Sequence, residues 1–393
     1  MEDIYIVSGV RTAIGDFGGG LKSLLPNELG SKVVTEALSR AGVAPSDVQH
    51  VVFGQVMQTS ARDNMLSRAI AIKAGIPFEV PALTLNRLCG SGVQAIVSAA
   101  QMMQLGEASI TVAGGAESMS NVPYHDHGVR WGKKMGDNTQ EDALTYGLQD
   151  ALGDYHMGIT AENCATRHQV TRADQDALAL QGHQRASHAI AQGRFKAQIL
   201  PIEIKTRKGV TLFDTDEHPR ADTTAEALAG MKTVFKKDGT VTAANASGIN
   251  DGAAAVVLAT GAEVEKRGLK PLAKILAWGH AGVEPEYMGE GPIAAVPIAL
   301  KRAGLALDQM DVIEANEAFA AQALAVAKVL GFDGEKLNPN GSGVALGHPV
   351  GATGCILAIK CAYELKRIGG KYGLITMCIG GGQGIAMIIE NVA

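Results

Sequence analysis

Four residues of this 393-residue chain stand where their side chains could do chemistry. Cys89 lies in Asn86-Arg87-Leu88-Cys89-Gly90-Ser91-Gly92, between the apolar run Val80 to Leu85 and a helix-like run from Val93 to Leu105. A cysteine at a helix N-terminus meets backbone N–H groups without intrahelical partners and the positive end of the macrodipole. Both favour thiolate, so its pKa is expected well below the free value of about 8.5. The small neighbours leave room for a carbonyl to reach the sulfur and the amides together. Asn316 closes a strand-like run in Glu314-Ala315-Asn316-Glu317-Ala318-Phe319, and His348 sits in the turn Gly347-His348-Pro349-Val350-Gly351 before a helix. Cys378 ends the run Gly373 to Met377 and precedes Gly380-Gly381-Gly382. Singly, each has a structural explanation. Together they amount to an acyl-transfer site, if the fold brings them to one face.

The elements that must do this alternate. Strand-like runs at Ile4–Ser8, Val48–Phe53, Leu83–Leu85 and Ser109–Ala113 are separated by helical stretches around Glu28–Ala41, Met65–Ala74 and the segment after Cys89. Such alternation reads as α/β. An internal repeat sharpens the reading. Ala37-Leu38-Ser39-Arg40-Ala41-Gly42-Val43-Ala44 returns as Ala299-Leu300-Lys301-Arg302-Ala303-Gly304-Leu305-Ala306, each followed by an acidic turn (Asp47, Asp308) and a strand. The same shift sets Cys89-Gly90-Ser91-Gly92 against Gly351-Ala352-Thr353-Gly354. A slightly longer one sets Ile110–Gly115 against Thr376–Gly381. The expected architecture is two duplicated α/β halves packed together, 1–118 (completed by 249–268) and 269–393. Residues 119–248 form an inserted helical and irregular loop domain, with a helix at Ala173–Gln192 that turns Asp176, Gln184, Arg185 and Ser187 outward. In open α/β sheets sites gather at the carboxyl ends of strands, which would put the four candidates on a common face.

Composition narrows the class. Hydrophobic residues make up 46% and charged ones 19%, enough for an ordinary globular core. A formal net charge of −5 gives no basic footprint for nucleic acid. Five cysteines with no CxxC pair argue against a disulfide framework and for a reducing compartment, most simply the cytoplasm. No leader or membrane-spanning run is apparent. Gly341-Ser342-Gly343-Val344-Ala345-Leu346 fails the dinucleotide pattern at its third glycine. His125-Asp126-His127 lacks further ligands at metal-site spacing, so it reads as loop surface and no metal is expected. Cys164, Cys355 and Cys361 read as core.

The blocks Asn86-x-x-Cys89-Gly-Ser-Gly, Asn316-Glu-Ala-Phe-Ala, Gly347-His348-Pro349-x-Gly351-Ala-x-Gly354 and Cys378-Ile-Gly-Gly-Gly resemble the four catalytic blocks of the thiolases, in the family's order. The resemblance runs from Arg11 to the C-terminus and is closest to the short-chain acetyl-CoA acetyltransferases, some of which accept longer 3-ketoacyl-CoAs. It implies a thiolase-like fold and a ping-pong Claisen condensation of acetyl-CoA to acetoacetyl-CoA and CoA, with no cofactor beyond these thioester substrates. Cys89 would be the nucleophile and His348 its base, and Cys378 would exchange a proton with the acetyl α-carbon. Asn316 would hold a water in the enolate oxyanion hole, and the N–H groups of Cys89 and Gly380 would hold the tetrahedral oxyanion. The loop domain would carry coenzyme A, with His156, Met157, Met288, Ala318 and Phe319 along the acyl and pantetheine tunnel. Ser247 would bond the pantetheine and Arg220 would meet the nucleotide; Ala227 replaces a nucleotide-touching serine of several relatives. The segment Ser120 to Met135 resembles one that joins dimers into a homotetramer. Ketoacyl synthases and hydroxymethylglutaryl-CoA synthase share the cysteine but carry His or Glu where Cys378 stands. A Cys-His-Asn hydrolase would leave Cys378 without a task, and a non-catalytic acyl-CoA carrier would not need the reactive residues.

Overall fold

The computed structural model describes residues 2–207 and 209–392. Its main sheet has ten strands. Nine of them are β1 (Ile4–Arg11), β2 (His50–Gly54), β3 (Ala82–Leu85), β4 (Ile110–Ser118), β5 (Asn250–Thr260), β6 (Ala273–Gly282), β7 (Val312–Ala315), β8 (Tyr372–Ile379) and β9 (Gln383–Asn391), in spatial order β7-β8-β9-β6-β1-β5-β4-β2-β3; a two-residue strand, Gly15–Asp16, pairs with the start of β5. The order is symmetric about the antiparallel β1–β6 pair, in register at Ile4↔Ile275. Outward from that pair, β5, β4 and β2 on one side match β9, β8 and β7 on the other, with the parallel pairs β4–β2 and β8–β7 in the same places. The strands are apolar almost throughout, and every residue of β5 is buried, as expected for strands covered on both faces.

The repeated octapeptides end two equivalent helices. Helix α1 (Pro26–Ala41) stops at Gly42 (φ +66°), and helix α6 (Gly291–Ala303) stops at Gly304 (φ +67°), both left-handed caps that favour glycine. In each, the residue after the glycine donates back to the helix, Val43 N to Leu38 O and Leu305 N to Leu300 O, both at 3.1 Å. Helices α1 and α2 (Leu66–Lys73) bury one face of the first half, and α6 buries the corresponding face of the second. The opposite faces share two helices, α3 (Ser91–Gln104) and α9 (Val350–Ile368), which pack on each other and on strands of both halves.

The segment between Ser118 and Asn250 carries α4 (Met157–His168), α5 (Arg172–Ala191) and three antiparallel ribbons, Ile202–Thr206 with Gly209–Phe213, Tyr124–His125 with Glu141–Asp142, and Gln149–Asp150 with Tyr155–His156. Thr171 caps α5 with a reciprocal bond to Asp174. Asp176 departs from the expected outward face. It is buried, accepting from Asn245 Nδ2 at 3.0 Å and Arg172 Nε at 2.7 Å. Those two partners balance its charge, which helical periodicity alone does not reveal. No described helix is long and apolar enough to cross a membrane.

Candidate active site

The site forms where the starts of α3 and α9 meet. A Cβ on Gly92 would lie 2.5 Å from Cys355 N, and one on Gly354 would lie 2.4 Å from Val93 N. Two glycines thus let the helix starts touch backbone to backbone, which turns the Cys89 loop towards the turn carrying His348. The end of β8 passes beside both: a Cβ on Gly90 would meet Ile379 Cδ1 at 2.5 Å, and the Gly380 N–H points at the Cys89 thiol. Asn316, directly after β7, donates its backbone N–H to Thr376 O at 2.9 Å. Its amide nitrogen lies 3.4 Å from His348 Nε2, and its Oδ1 has no partner among the described residues. Cys89, Asn316, His348, Cys378 and Gly380 therefore gather in one place, contributed by both halves.

The Cys89 loop is built by local side-chain bonds. Asn86 Oδ1 accepts from Leu88 N at 2.8 Å, while Ser91 Oγ accepts from Arg87 N at 2.9 Å and donates to Leu88 O at 2.7 Å. These hold Leu88 at φ +46°, an uncommon conformation for a branched residue.

Electrostatics departs from the expected thiolate. Burial pushes the Cys89 thiol up to about 11, against the lowering effect of the Gly380 and Cys89 N–H groups, and Glu117 raises it further. Desolvation disfavours the charged form, and here it outweighs the helix N-terminus. The Cys378 thiol is also held well above its ordinary value, by burial first and then by Cys89 and Cys164. Burial lowers His348 to about 4. At neutral pH the resting site therefore holds two thiols and a neutral imidazole, with the proton still on sulfur. Alkylation of Cys89 by iodoacetamide, read from the modified peptide by mass spectrometry, should therefore climb about tenfold per pH unit up to pH 10. A plateau near pH 8 would restore the low-pKa reading.

Buried charges lock the two halves around the site. Glu117, at the end of β4, accepts from Val56 N (3.0 Å), Met57 N (3.1 Å) and Gly351 N (2.8 Å), tying the first half to the start of α9. Lys360 of α9 bonds Glu314 of β7 at 2.8 Å and Gly341 O at 2.6 Å, with both side chains inaccessible. The helix behind His348 is thereby fixed to the strand that leads to Asn316.

The loop domain brings the other candidates alongside. Met288, Ala318, Phe319 and Cys378 share one apolar cluster, with Met157 packed against it, and Met157 Sδ would lie 3.6 Å from a Cβ on Gly380. His156 caps α4, its Nδ1 accepting from Gly158 N at 3.0 Å, and stacks on Phe235 at 4.6 Å. Ser247 donates its N–H to Ala318 O at 2.9 Å. Arg220 lies apart from that cluster. Its guanidinium is half exposed and bonds Asp16 Oδ2 at 2.9 Å and Glu217 O at 3.0 Å, while Asp16 also binds His218 Nδ1 at 2.6 Å. Asp16 is held below its ordinary value, chiefly by the His218 hydrogen bond. His218 in turn abuts Gly248, so Arg220 reaches the Ser247 end of the platform through that histidine.

Three further residues shape the site. Thr353 Oγ1 lies 2.6 Å from His348 Nδ1, in the unspecified position of its glycine block. Asn250, at the start of β5, accepts from His348 N at 2.8 Å, and Phe235 supports His156. Nothing in the local pattern flags the latter two, because each comes from a distant segment. The reading of His125 and His127 as lacking a third ligand also changes, since the short ribbon sets Glu141 opposite His125. Ligand atoms of the three residues lie within 4.8 Å of one another.

A site shared by two α/β halves, with two thiols and one imidazole, defines an acyl-transfer class, and comparison with known proteins agrees. The thiolase N-terminal domain model matches residues 4–262 and the thiolase C-terminal domain model residues 269–391; the chain belongs to the thiolase family. It is 56% identical to the beta-ketothiolase BktB of Cupriavidus necator over 100% of both chains. It is 49% identical to an acetyl-CoA acetyltransferase of Pseudomonas aeruginosa, again over 100% of both. The crystal structure of human mitochondrial 3-ketoacyl-CoA thiolase superposes with a TM-score of 0.98 at 45% identity, covering 100% of this chain and 99% of that one.

Proposed function

We propose that this chain is an acetyl-CoA C-acetyltransferase that joins two acetyl-CoA molecules reversibly into acetoacetyl-CoA and CoA. The observation that carries the reading is the meeting of Cys89, Cys378, His348 and Asn316 at the junction of the halves. His348, neutral at working pH, takes the Cys89 proton as the sulfur attacks the thioester carbonyl, and the acyl group moves to Cys89 as CoA leaves. The N–H groups of Cys89 and Gly380 stabilise the tetrahedral oxyanion; loss of one such donor typically costs about 2.7–4 kcal/mol. Cys378 then gives its own proton to His348 Nε2, and the resulting thiolate removes an α-proton from the second acetyl-CoA, whose enolate oxygen faces the Nε2–H and a water held by Asn316. The resulting carbanion attacks the carbonyl of acetyl-Cys89, the sulfur–carbon bond to Cys89 breaks, and the Cys89 sulfur takes back the Nε2 proton. Thiolysis runs the same steps backwards with Cys378 returning the proton. Condensation is generally uphill for this chemistry, so the pathway sets the direction.

A second reading, a broader 3-ketoacyl-CoA thiolase, is favoured by the 56% identity to a beta-ketothiolase. Thiolysis of acetoacetyl-CoA by free CoA, run beside a six-carbon 3-ketoacyl-CoA, separates the two. Faster cleavage of the four-carbon substrate supports the acetyltransferase, and preference for the longer one supports the broader enzyme. Cleavage of neither would sink both.

The CoA platform is proposed around His156, Met157, Ser247, Met288, Ala318 and Phe319, with Arg220 at the phosphate end, where a guanidinium suits an anion. The assembly is proposed to be a homotetramer joined through the ribbon near Tyr124. Tyr124, Val129, Trp131 and Met135 are exposed there, Trp131 by 87% and Met135 by 90%, an apolar patch that favours a protein partner. Trp131→Glu should reduce the assembly to dimers in light scattering while thiolysis persists; an unchanged tetramer would contradict this. Five free cysteines fit a reducing compartment, for which the cytoplasm is the simplest choice.

A further inference from the structure

We infer that Thr353 is a positioning residue for His348: its hydroxyl fixes the imidazole in the Nδ1–H tautomer, so that Nε2 is the nitrogen that takes the Cys89 proton. The inference rests on the proposed acyl-transfer reading and adds a third member to its Cys–His pair. It begins from two distances around one oxygen. Thr353 Oγ1 is 3.0 Å from Pro349 O, one helical turn back, and 2.6 Å from His348 Nδ1. A hydroxyl has a single proton. Given to Pro349 O, as the 3.0 Å contact directs it, that proton leaves the oxygen lone pairs for His348, and Nδ1 then carries the hydrogen. A neutral imidazole protonated at Nδ1 bears its lone pair at Nε2, and burial keeps His348 neutral.

The rest of the turn is fixed in a way that suits this role. The His348 N–H donates to Asn250 Oδ1 at 2.8 Å, and the Asn250 amide is held in turn by Gly15 O at 3.1 Å and Asp16 Oδ1 at 3.3 Å. Gly347, at φ +98°, has the Asn250 side chain where a Cβ would stand. The main chain is thus clamped by Asn250 and the ring by Thr353, which leaves Nε2 on the side of Asn316.

In the acylation step the Cys89 S–H bond breaks and its proton goes to Nε2, while the sulfur electron pair forms the new bond to the thioester carbon. The carbon–sulfur bond to CoA then breaks, its electron pair leaves with the CoA sulfur, and the Nε2 proton passes to that sulfur. Through both transfers the Nδ1–H stays on Thr353. Because the third group is a neutral hydroxyl and not a carboxylate, it sets the tautomer without supplying a charge to stabilise an imidazolium.

The test compares Thr353→Val, Thr353→Ser and Thr353→Ala in acetoacetyl-CoA thiolysis and in single-turnover acetylation by acetyl-CoA, with thermal melts as a check on folding. Removing the hydroxyl should lower kcat and the acylation rate by roughly 10–100-fold, since the productive tautomer becomes a minority species. KM for CoA should stay within about twofold, since that contact is remote from the ring. Thr353→Ser should restore most of the rate. If the valine variant does not fold, the serine and alanine variants carry the comparison. Wild-type-like rates in Thr353→Val and Thr353→Ala, or a serine variant as slow as they are, would overturn the inference. Wild-type enzyme without thiolysis would instead overturn the acyl-transfer reading itself.

Discussion

Cys89→Ala is expected to lower thiolysis and condensation by at least about 10⁴-fold, because no other group at the site can accept the acyl chain. Cys378 is the nearest alternative, but burial holds its thiol well above its ordinary value and it sits in the apolar cluster with Met288 and Phe319. Stability should change little, since the substitution trims one sulfur from a partly covered residue and leaves the bonds from Asn86 and Ser91 that shape the loop. Steady-state assay beside a thermal melt checks both halves of the prediction. A variant that folds and keeps more than a few per cent of turnover would contradict the assignment of the nucleophile.

The second large effect is selective. In Cys378→Ser, acetoacetyl-CoA thiolysis and condensation should fall by about 10²–10⁴-fold, the usual worth of a positioned acid or base. A serine hydroxyl gives up its proton far less readily than a thiol. Transfer of an acetyl group from acetyl-CoA to Cys89 needs no α-proton, so exchange of labelled CoA into acetyl-CoA should continue at a substantial fraction of the wild-type rate. Cys378 therefore separates the two half-reactions, whereas Cys89 is required for both. Equal losses in exchange and thiolysis would place Cys378 in acyl transfer as well.

Much of this was legible in the chain. The repeat at Ala37–Ala44 and Ala299–Ala306 announced two equivalent helices, and both end on the same left-handed glycine. The small-residue blocks at Cys89–Gly92 and Gly351–Gly354 are the two helix starts that touch. What stayed hidden depends on depth and on distant partners. The Cys89 pKa was expected low from its helix position, but the sign is set by burial, which local sequence does not carry. Asp176 reads as a surface residue until Asn245 arrives from far along the chain. Thr353 occupies the unspecified position of a motif, and only the fold turns its hydroxyl to His348. Glu141 reaches His125 through a pairing register that the intervening loop conceals.

Trapping the intermediate separates the roles of the two thiols, partly covered Cys89 and buried Cys378. Wild-type and Cys378→Ser enzymes would be mixed with acetyl-CoA, quenched in acid and digested, and the cysteine peptides weighed. One acetyl group is expected, on Cys89, in both proteins. Acetyl on Cys378, or its loss from Cys89 in the Cys378→Ser variant, would contradict it.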